Sequence, residues 1–122
     1  INYEFISRKK IYQGGGISPG ITMRFEAMHA FTTKLPLVKP TNEVNLIGDS
    51  TETCMQSGVM NGIVAEVEGI IERYKTRFPN LQVILCGGDY SFFENRLKPP
   101  IFVTPDLVLC GLNRILCHHA EF

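Results

Sequence analysis

Apolar and polar positions alternate at the start of the chain and recur at helical spacing through its middle. Ile1-Asn2-Tyr3-Glu4-Phe5-Ile6-Ser7 alternates like a strand, and a second run from about Lys10 to Gly14 follows the basic cluster Arg8-Lys9-Lys10. The pattern predicts two antiparallel strands joined at that cluster. Gly14-Gly15-Gly16 then precedes Ile17-Ser18-Pro19-Gly20, a run that either turns the chain or lets backbone pass close to a neighbour. Ile21 to Phe31 reads as a helix, with Met23, Ala27 and Ala30 among its inward candidates. Residues 32–47 contain Pro36 and Pro40 and show no helical period, which predicts an extended connection. A long helix is expected from Asp49 or Ser50 to Arg77, ending before Pro79. Leu81-Gln82-Val83-Ile84-Leu85-Cys86 is nearly continuous in apolar character, as in a strand buried on both faces. Gly87-Gly88-Asp89 turns it into a short helix near Ser91 to Leu97, which Pro99-Pro100 ends. Ile101-Phe102-Val103 reads as a short strand, and Thr104-Pro105-Asp106 opens the last helix with a capping residue and a first-turn proline. The order β-β-α-α-β-α-β-α predicts a layered α/β domain. Ligands in such domains lie beyond the carboxyl ends of strands, which singles out Gly87 and Gly88.

The long helix carries two stripes. Val59, Ile63, Val67, Ile70 and Tyr74 form an ordinary core face, whereas Cys54, Gly58, Gly62, Ala65 and Gly69 line up as a face of small residues. A glycine costs a helix about 1 kcal/mol relative to alanine, so a row of them suggests close approach of another backbone. Two arrangements meet that need: tight packing inside one subunit, or pairing with the same helix of a second subunit. At the helix start, Asp49 and Glu52 have the spacing of a capping box.

Composition narrows the classes. A chain of 122 residues that is 44% hydrophobic can bury one core, and a single domain over 1–122 is expected. Its 12 basic and 12 acidic residues cancel. That balance argues against nucleic-acid partners and against binding to an anionic membrane surface, since no basic excess displaces counterions. No apolar run has the length of a membrane span, and no signal peptide is read. The first residue is not methionine and the first strand is already under way, so the chain is expected to be a piece of a longer protein.

Cys54, Cys86, Cys110 and Cys117 include no Cys-x-x-Cys pair, and Cys54 and Cys86 lie in segments that read as buried. A reduced cytoplasmic protein is expected. Cys117-His118-His119 matches no zinc spacing, so no metal site is assigned. The glycine triplet lacks the Lys-Ser/Thr pair of a phosphate loop. His29 reads as a structural residue, and no set of nucleophile, base and orienting group is found.

Taken in order, Gly15-Gly16-Ile17-Ser18-Pro19-Gly20, Thr33-Lys34-Leu35-Pro36, Gly48-Asp49-Ser50-Thr51 leading into Met55-Gln56-Ser57-Gly58, Cys86-Gly87-Gly88 and Pro105-Asp106-Leu107-Val108-Leu109-Cys110-Gly111-Leu112 resemble the carboxyl-terminal half of a type III pantothenate kinase. The resemblance runs through essentially the whole chain. It implies the carboxyl-terminal half of an actin-like (ribonuclease H-like) two-domain kinase, in which a mixed sheet is packed by helices and ATP binds between the domains. It implies transfer of the γ-phosphoryl group of ATP to pantothenate, the first step towards coenzyme A, by a homodimer that uses a divalent cation (Mg) and a monovalent cation (K or ammonium).

Residue by residue, the resemblance gives Thr51 a hydrogen bond to pantothenate from the partner subunit and places Gly87 and Gly88 beside the adenosine of ATP. Gly15, Gly16, Pro19 and Gly20 match a loop that shapes the domain near the cleft. The long helix, with Gly58, Gly62 and Gly69, matches the dimer helix. The phosphate loops, the aspartate general base and the cation-binding aspartate of the family match nothing in this sequence, so no catalytic residue is assigned and the piece alone is expected to be inactive. Two rival readings are a non-catalytic relative acting as a transcriptional accessory regulator and a bare dimerisation module.

Overall fold

Alternation at the start of the chain is realised as a hairpin in the computed structural model, which describes residues 1–120. Strand β1 (Asn2–Ile6) pairs antiparallel with β2 (Tyr12–Ile17), with Asn2 opposite Ile17 and Glu4 opposite Gly15. The basic cluster makes the turn: the Lys10 N–H donates to the Ser7 carbonyl at 2.9 Å, and Lys10 adopts a φ of 60°. The glycine triplet lies inside β2, not after it. A bulge shifts the register between Phe5 and Ile6. Across the hairpin the Tyr12 hydroxyl donates to the Glu4 carboxylate. That bond, and secondarily desolvation and the carboxylate charge, raise the Tyr12 pKa above its usual value.

Helix α1 (Ile21–Ala30) ends within a residue of its expected limit. Its buried side chains are Ile21 and Phe25, one turn apart, while Met23 is 60% exposed. Met23 and Ala30 do not face inward as expected: both are exposed, standing about 200° and 180° round the helix from Ile21. Helix α2 (Thr51–Arg77) keeps the expected length of seven turns or so. Met55, Val59, Ile63 and Val67 repeat every four residues and are all buried, with Met60 beside them.

By packing, the chain divides into two units, one ending at Ile63 and one starting at Val64. In the first, Ile21, Phe25, Val38, Met55, Val59, Met60 and Ile63 are the buried apolar set. In the second, the buried set is Val67, Phe92, Phe93 and Leu97. Phe92 and Phe93 meet edge to face at 5.1 Å, and the Arg96 guanidinium lies 4.2 Å from the Phe92 ring.

The second unit contains a parallel pair, β3 (Ile84–Leu85) and β4 (Phe102–Val103), separated by α3 (Tyr90–Glu94) and followed by α4 (Leu107–Ala120). The element order is the expected one. The α/β class is observed as two two-stranded sheets, one antiparallel and one parallel, among the described residues. The segment 81–86 is not buried on both faces: Ile84 is 54% exposed and Cys86 is exposed. Its ladder is only two residues long and pairs on one edge. Cys54 is exposed as well, because it stands on the open small-residue face of α2. Along α4 the apolar residues Leu109, Leu112, Ile115 and Leu116 are all exposed.

Gly48 fixes how the chain meets α2. A β-carbon added there would lie 2.3 Å from the Cys54 nitrogen and 2.5 Å from the Thr53 carbonyl carbon. Real β-carbons do not approach backbone so closely, so any side chain would push the segment off the helix. Gly48→Val in the intact protein is expected to cost about 2–3 kcal/mol through overpacking. Thermal unfolding is the check: an unchanged melting temperature would mean that this approach does not hold the helix start.

Candidate functional site

The start of α2 is held by two hydroxyls. Ser50 is the capping residue: its Oγ accepts the Thr53 N–H at 3.2 Å. In return Thr53 Oγ1 accepts the N–H groups of Asp49 and Ser50, both at 2.9 Å, and donates to Asp49 Oδ1 at 3.0 Å. This is the reciprocal geometry of a capping box, with threonine in the place of glutamate. The Asp49–Glu52 pair expected from spacing is displaced by one residue. Asp49 supports the Thr53 hydroxyl, and the helix begins at Thr51, so the three-residue step runs from Ser50 to Thr53.

Thr51 therefore occupies the first helical position. It is exposed, and among the described residues its hydroxyl has no hydrogen-bond partner. A free hydroxyl on a capped helix end is a rigidly presented donor and acceptor.

The segment before it is tied to the helix by side chains that sequence reasoning did not single out. Gln56 Nε2 donates to the Lys39 carbonyl at 3.3 Å, Ser57 Oγ to the Leu46 carbonyl at 2.6 Å, and Asn61 Nδ2 to the Asn45 carbonyl at 3.1 Å. The available signal was Ser57 and Asn61, polar residues four apart on one flank, and Gln56 within the arc of the buried stripe of an amphipathic helix.

Gly87 and Gly88 follow the carboxyl end of β3, as expected, and the structure distinguishes between them. Gly87 has a φ of 101°, a region that side-chain-bearing residues seldom adopt. Its N–H donates to the Pro105 carbonyl at 3.2 Å, and its carbonyl accepts the Tyr90 N–H at 3.4 Å as α3 begins. The turns after β3 and β4 are thereby joined. A β-carbon on Gly88 would meet nothing within 4 Å. Thr51 belongs to the first unit, and Gly87-Gly88 to the second.

On α2, Gly58, Gly62 and Gly69 are exposed, and a β-carbon on any of them would also meet nothing within 4 Å. Close packing within this chain does not explain the small-residue face. Near the end of α4, His119 Nδ1 faces the Ile115 carbonyl at 2.9 Å, and the His118 and His119 rings are 5.9 Å apart. Among the described residues no group of three or more His, Cys, Asp or Glu could hold a metal ion. No helix among the described residues is long and apolar enough to cross a membrane.

The family model described as type III pantothenate kinase matches residues 1–73. A type III pantothenate kinase of Cytophaga hutchinsonii is 52% identical over 116 residues, covering 95% of this chain and 49% of the relative. One from Phocaeicola vulgatus is 45% identical over 119 residues (98% and 49%), and one from Azobacteroides pseudotrichonymphae is 45% identical over 122 residues (100% and 49%). The chain spans about half the length of the curated relatives it matches.

The two glycines of the turn are expected to respond differently to one added methyl group. Gly87→Ala forces a β-carbon into positive φ and should lower stability by about 1–2 kcal/mol. Gly88→Ala should stay within about 0.5 kcal/mol of the parent, because its β-carbon meets open space. Denaturant titration of the two variants measures this, and equal losses would refute the distinction.

Proposed function

This chain belongs to the type III pantothenate kinase family, and from that premise we propose that the intact protein transfers the γ-phosphoryl group of ATP to pantothenate, giving 4'-phosphopantothenate in the first step of coenzyme A biosynthesis. The observation that carries the reading is the family match over residues 1–73, which includes the capped helix start and its free Thr51 hydroxyl. Phosphoryl transfer depends on positioning and on stabilising charge around the phosphates. This half of the protein contributes positioning. Thr51 offers its hydroxyl to pantothenate in the partner subunit's site. Gly88, with no side chain and open space around it, leaves room for the adenosine of ATP. A divalent cation such as Mg, which would supply charge stabilisation for the phosphates, and a monovalent cation such as K or ammonium belong to the same reading, and no cluster among the described residues would hold either.

The open face of Gly58, Gly62 and Gly69 supports dimerisation through α2, since a second copy can bring its backbone close only where side chains are absent. All four cysteines are free thiols, which supports action in the reducing cytoplasm. The regulatory alternative draws no support from the relatives, which carry a kinase name.

Gly62→Leu in the intact protein is expected to weaken the dimer by about 1–3 kcal/mol, the usual range for overpacking a close contact. Sedimentation over a concentration series reads it directly. A dimer constant equal to that of the parent would remove the stripe from the interface.

Thr51→Val should weaken pantothenate use roughly five- to a hundred-fold, as for a lost buried hydrogen bond of about 1–3 kcal/mol. Mixing subunits tests whether the threonine acts in trans. One parent carries Thr51→Val, and the other lacks the general base in the half of the protein outside this chain. If Thr51 serves the neighbouring site, hybrid dimers regain activity that neither parent has. Hybrids that form without recovery would place the threonine in its own subunit's site.

A further inference from the structure

The segment leading to Thr51 is ordered mainly by polar ties. Between residues 32 and 50 only Val38 is buried, while Leu46 and Ile47 are 81% and 84% exposed. Fixing a stretch without regular structure costs backbone entropy at every residue, and here little apolar burial offsets that cost. What fixes it is side chain to main chain. Ser57 Oγ holds the Leu46 carbonyl at 2.6 Å, and Asn61 Nδ2 holds the Asn45 carbonyl at 3.1 Å. Asn61 Nδ2 also donates to Ser57 Oγ at 3.2 Å, so the two ties form one small network. Closer to the helix start, Thr53 Oγ1 holds the N–H groups of Asp49 and Ser50.

The backbone from Asn45 to Ser50 is thus laid antiparallel along α2, from its third turn back to its first. Ser50, which caps the helix, is the last link of that strap. If the strap loosens at Asn45 and Leu46, the cap loses its fixed approach, the first turn frays and the Thr51 hydroxyl loses its direction.

We propose that Ser57 and Asn61 are positioning residues for substrate binding: they pin the 45–50 strap against α2 and so hold the Thr51 hydroxyl in a productive orientation. This rests on the reading of Thr51 as a pantothenate contact. Neither side chain touches the substrate. Their effect passes through the strap and the cap.

The experiment uses the intact enzyme and compares Ser57→Ala, Asn61→Asp, Ser57→Thr and Thr51→Val. The readouts are kcat and KM for pantothenate and for ATP, the melting temperature, and hydrogen exchange of amides 45–53. Asn61→Asp keeps the shape but replaces the donor by an acceptor facing a carbonyl. The expected result is that Ser57→Ala and Asn61→Asp each raise the pantothenate KM roughly three- to tenfold, the scale of one lost hydrogen bond. The ATP KM should stay within about twofold, exchange should quicken across 45–53, and Ser57→Thr, which keeps the hydroxyl, should restore parental values. If Thr51→Val raises the pantothenate KM while Ser57→Ala and Asn61→Asp leave it unchanged, the positioning role is wrong and the Thr51 reading stands. If the two variants raise both KM values equally, or only lower the melting temperature, their role is structural and the inference is overturned. If Thr51→Val itself leaves pantothenate KM unchanged, the reading of Thr51 fails and this inference falls with it. Should one variant fail to fold, the other carries the test alone.

Discussion

Two hydroxyls and one absent side chain at the start of α2 organise the first half of this chain. The exchange between Ser50 and Thr53 satisfies main-chain N–H groups that a helix leaves unpaired at its first turn. The lack of a β-carbon at Gly48 lets the preceding backbone lie against Thr53 and Cys54. Together they fix both the first residue of the helix and the direction from which the chain arrives. The buried stripe Met55, Val59 and Ile63 then anchors the same helix in the first unit. The core stripe gives the helix a place, and the cap gives it a beginning.

On that frame the functional reading divides labour along one helix. In the proposed reading its first residue, Thr51, offers its hydroxyl to a substrate and its small-residue face takes a second copy, while Ser57 and Asn61 hold the strap and the apolar stripe holds the core. The buried stripe and the flank of Ser57 and Asn61 lie on other sides, whereas Thr51 shares its side of the helix with Gly58, Gly62 and Gly69, at steps set by 3.6 residues per turn. A family resemblance alone would assign Thr51 a role. The geometry adds a reason why a threonine at this place can be specific: its hydroxyl is free, and the turn that carries it is closed by other groups.

Much of the fold was legible because periodicity reports burial. The order of all eight elements and the extent of α2 followed from apolar spacing and from Pro79. Capping was harder: Asp49 and Glu52 obey the same three-residue rule as Ser50 and Thr53, and sequence spacing does not say which residue is the first helical one. Met23 reads as inward because it is apolar, whereas the pair Ile21 and Phe25 sets the buried face. The run 81–86 has the composition of a doubly covered strand, yet composition does not supply the layers that would cover it. For the candidate site, the family pattern points to Thr51 and the glycine turn. The ties from Gln56, Ser57 and Asn61 were not legible, because polar residues on a helix read the same whether they face water or a neighbouring carbonyl.

The link between Gly87 and Pro105 has a consequence for how the second unit tolerates change. A proline can accept a hydrogen bond through its carbonyl but has no N–H to give. The bond therefore runs one way, from the glycine turn to the approach of α4. Drift accumulating around Thr104 to Asp106 would reach the turn after β3 without altering any residue there. A survey of natural variants confined to the turn after β3 would miss such changes. Positions on the two turns should be read as one mutational unit, with substitutions in one compensated in the other.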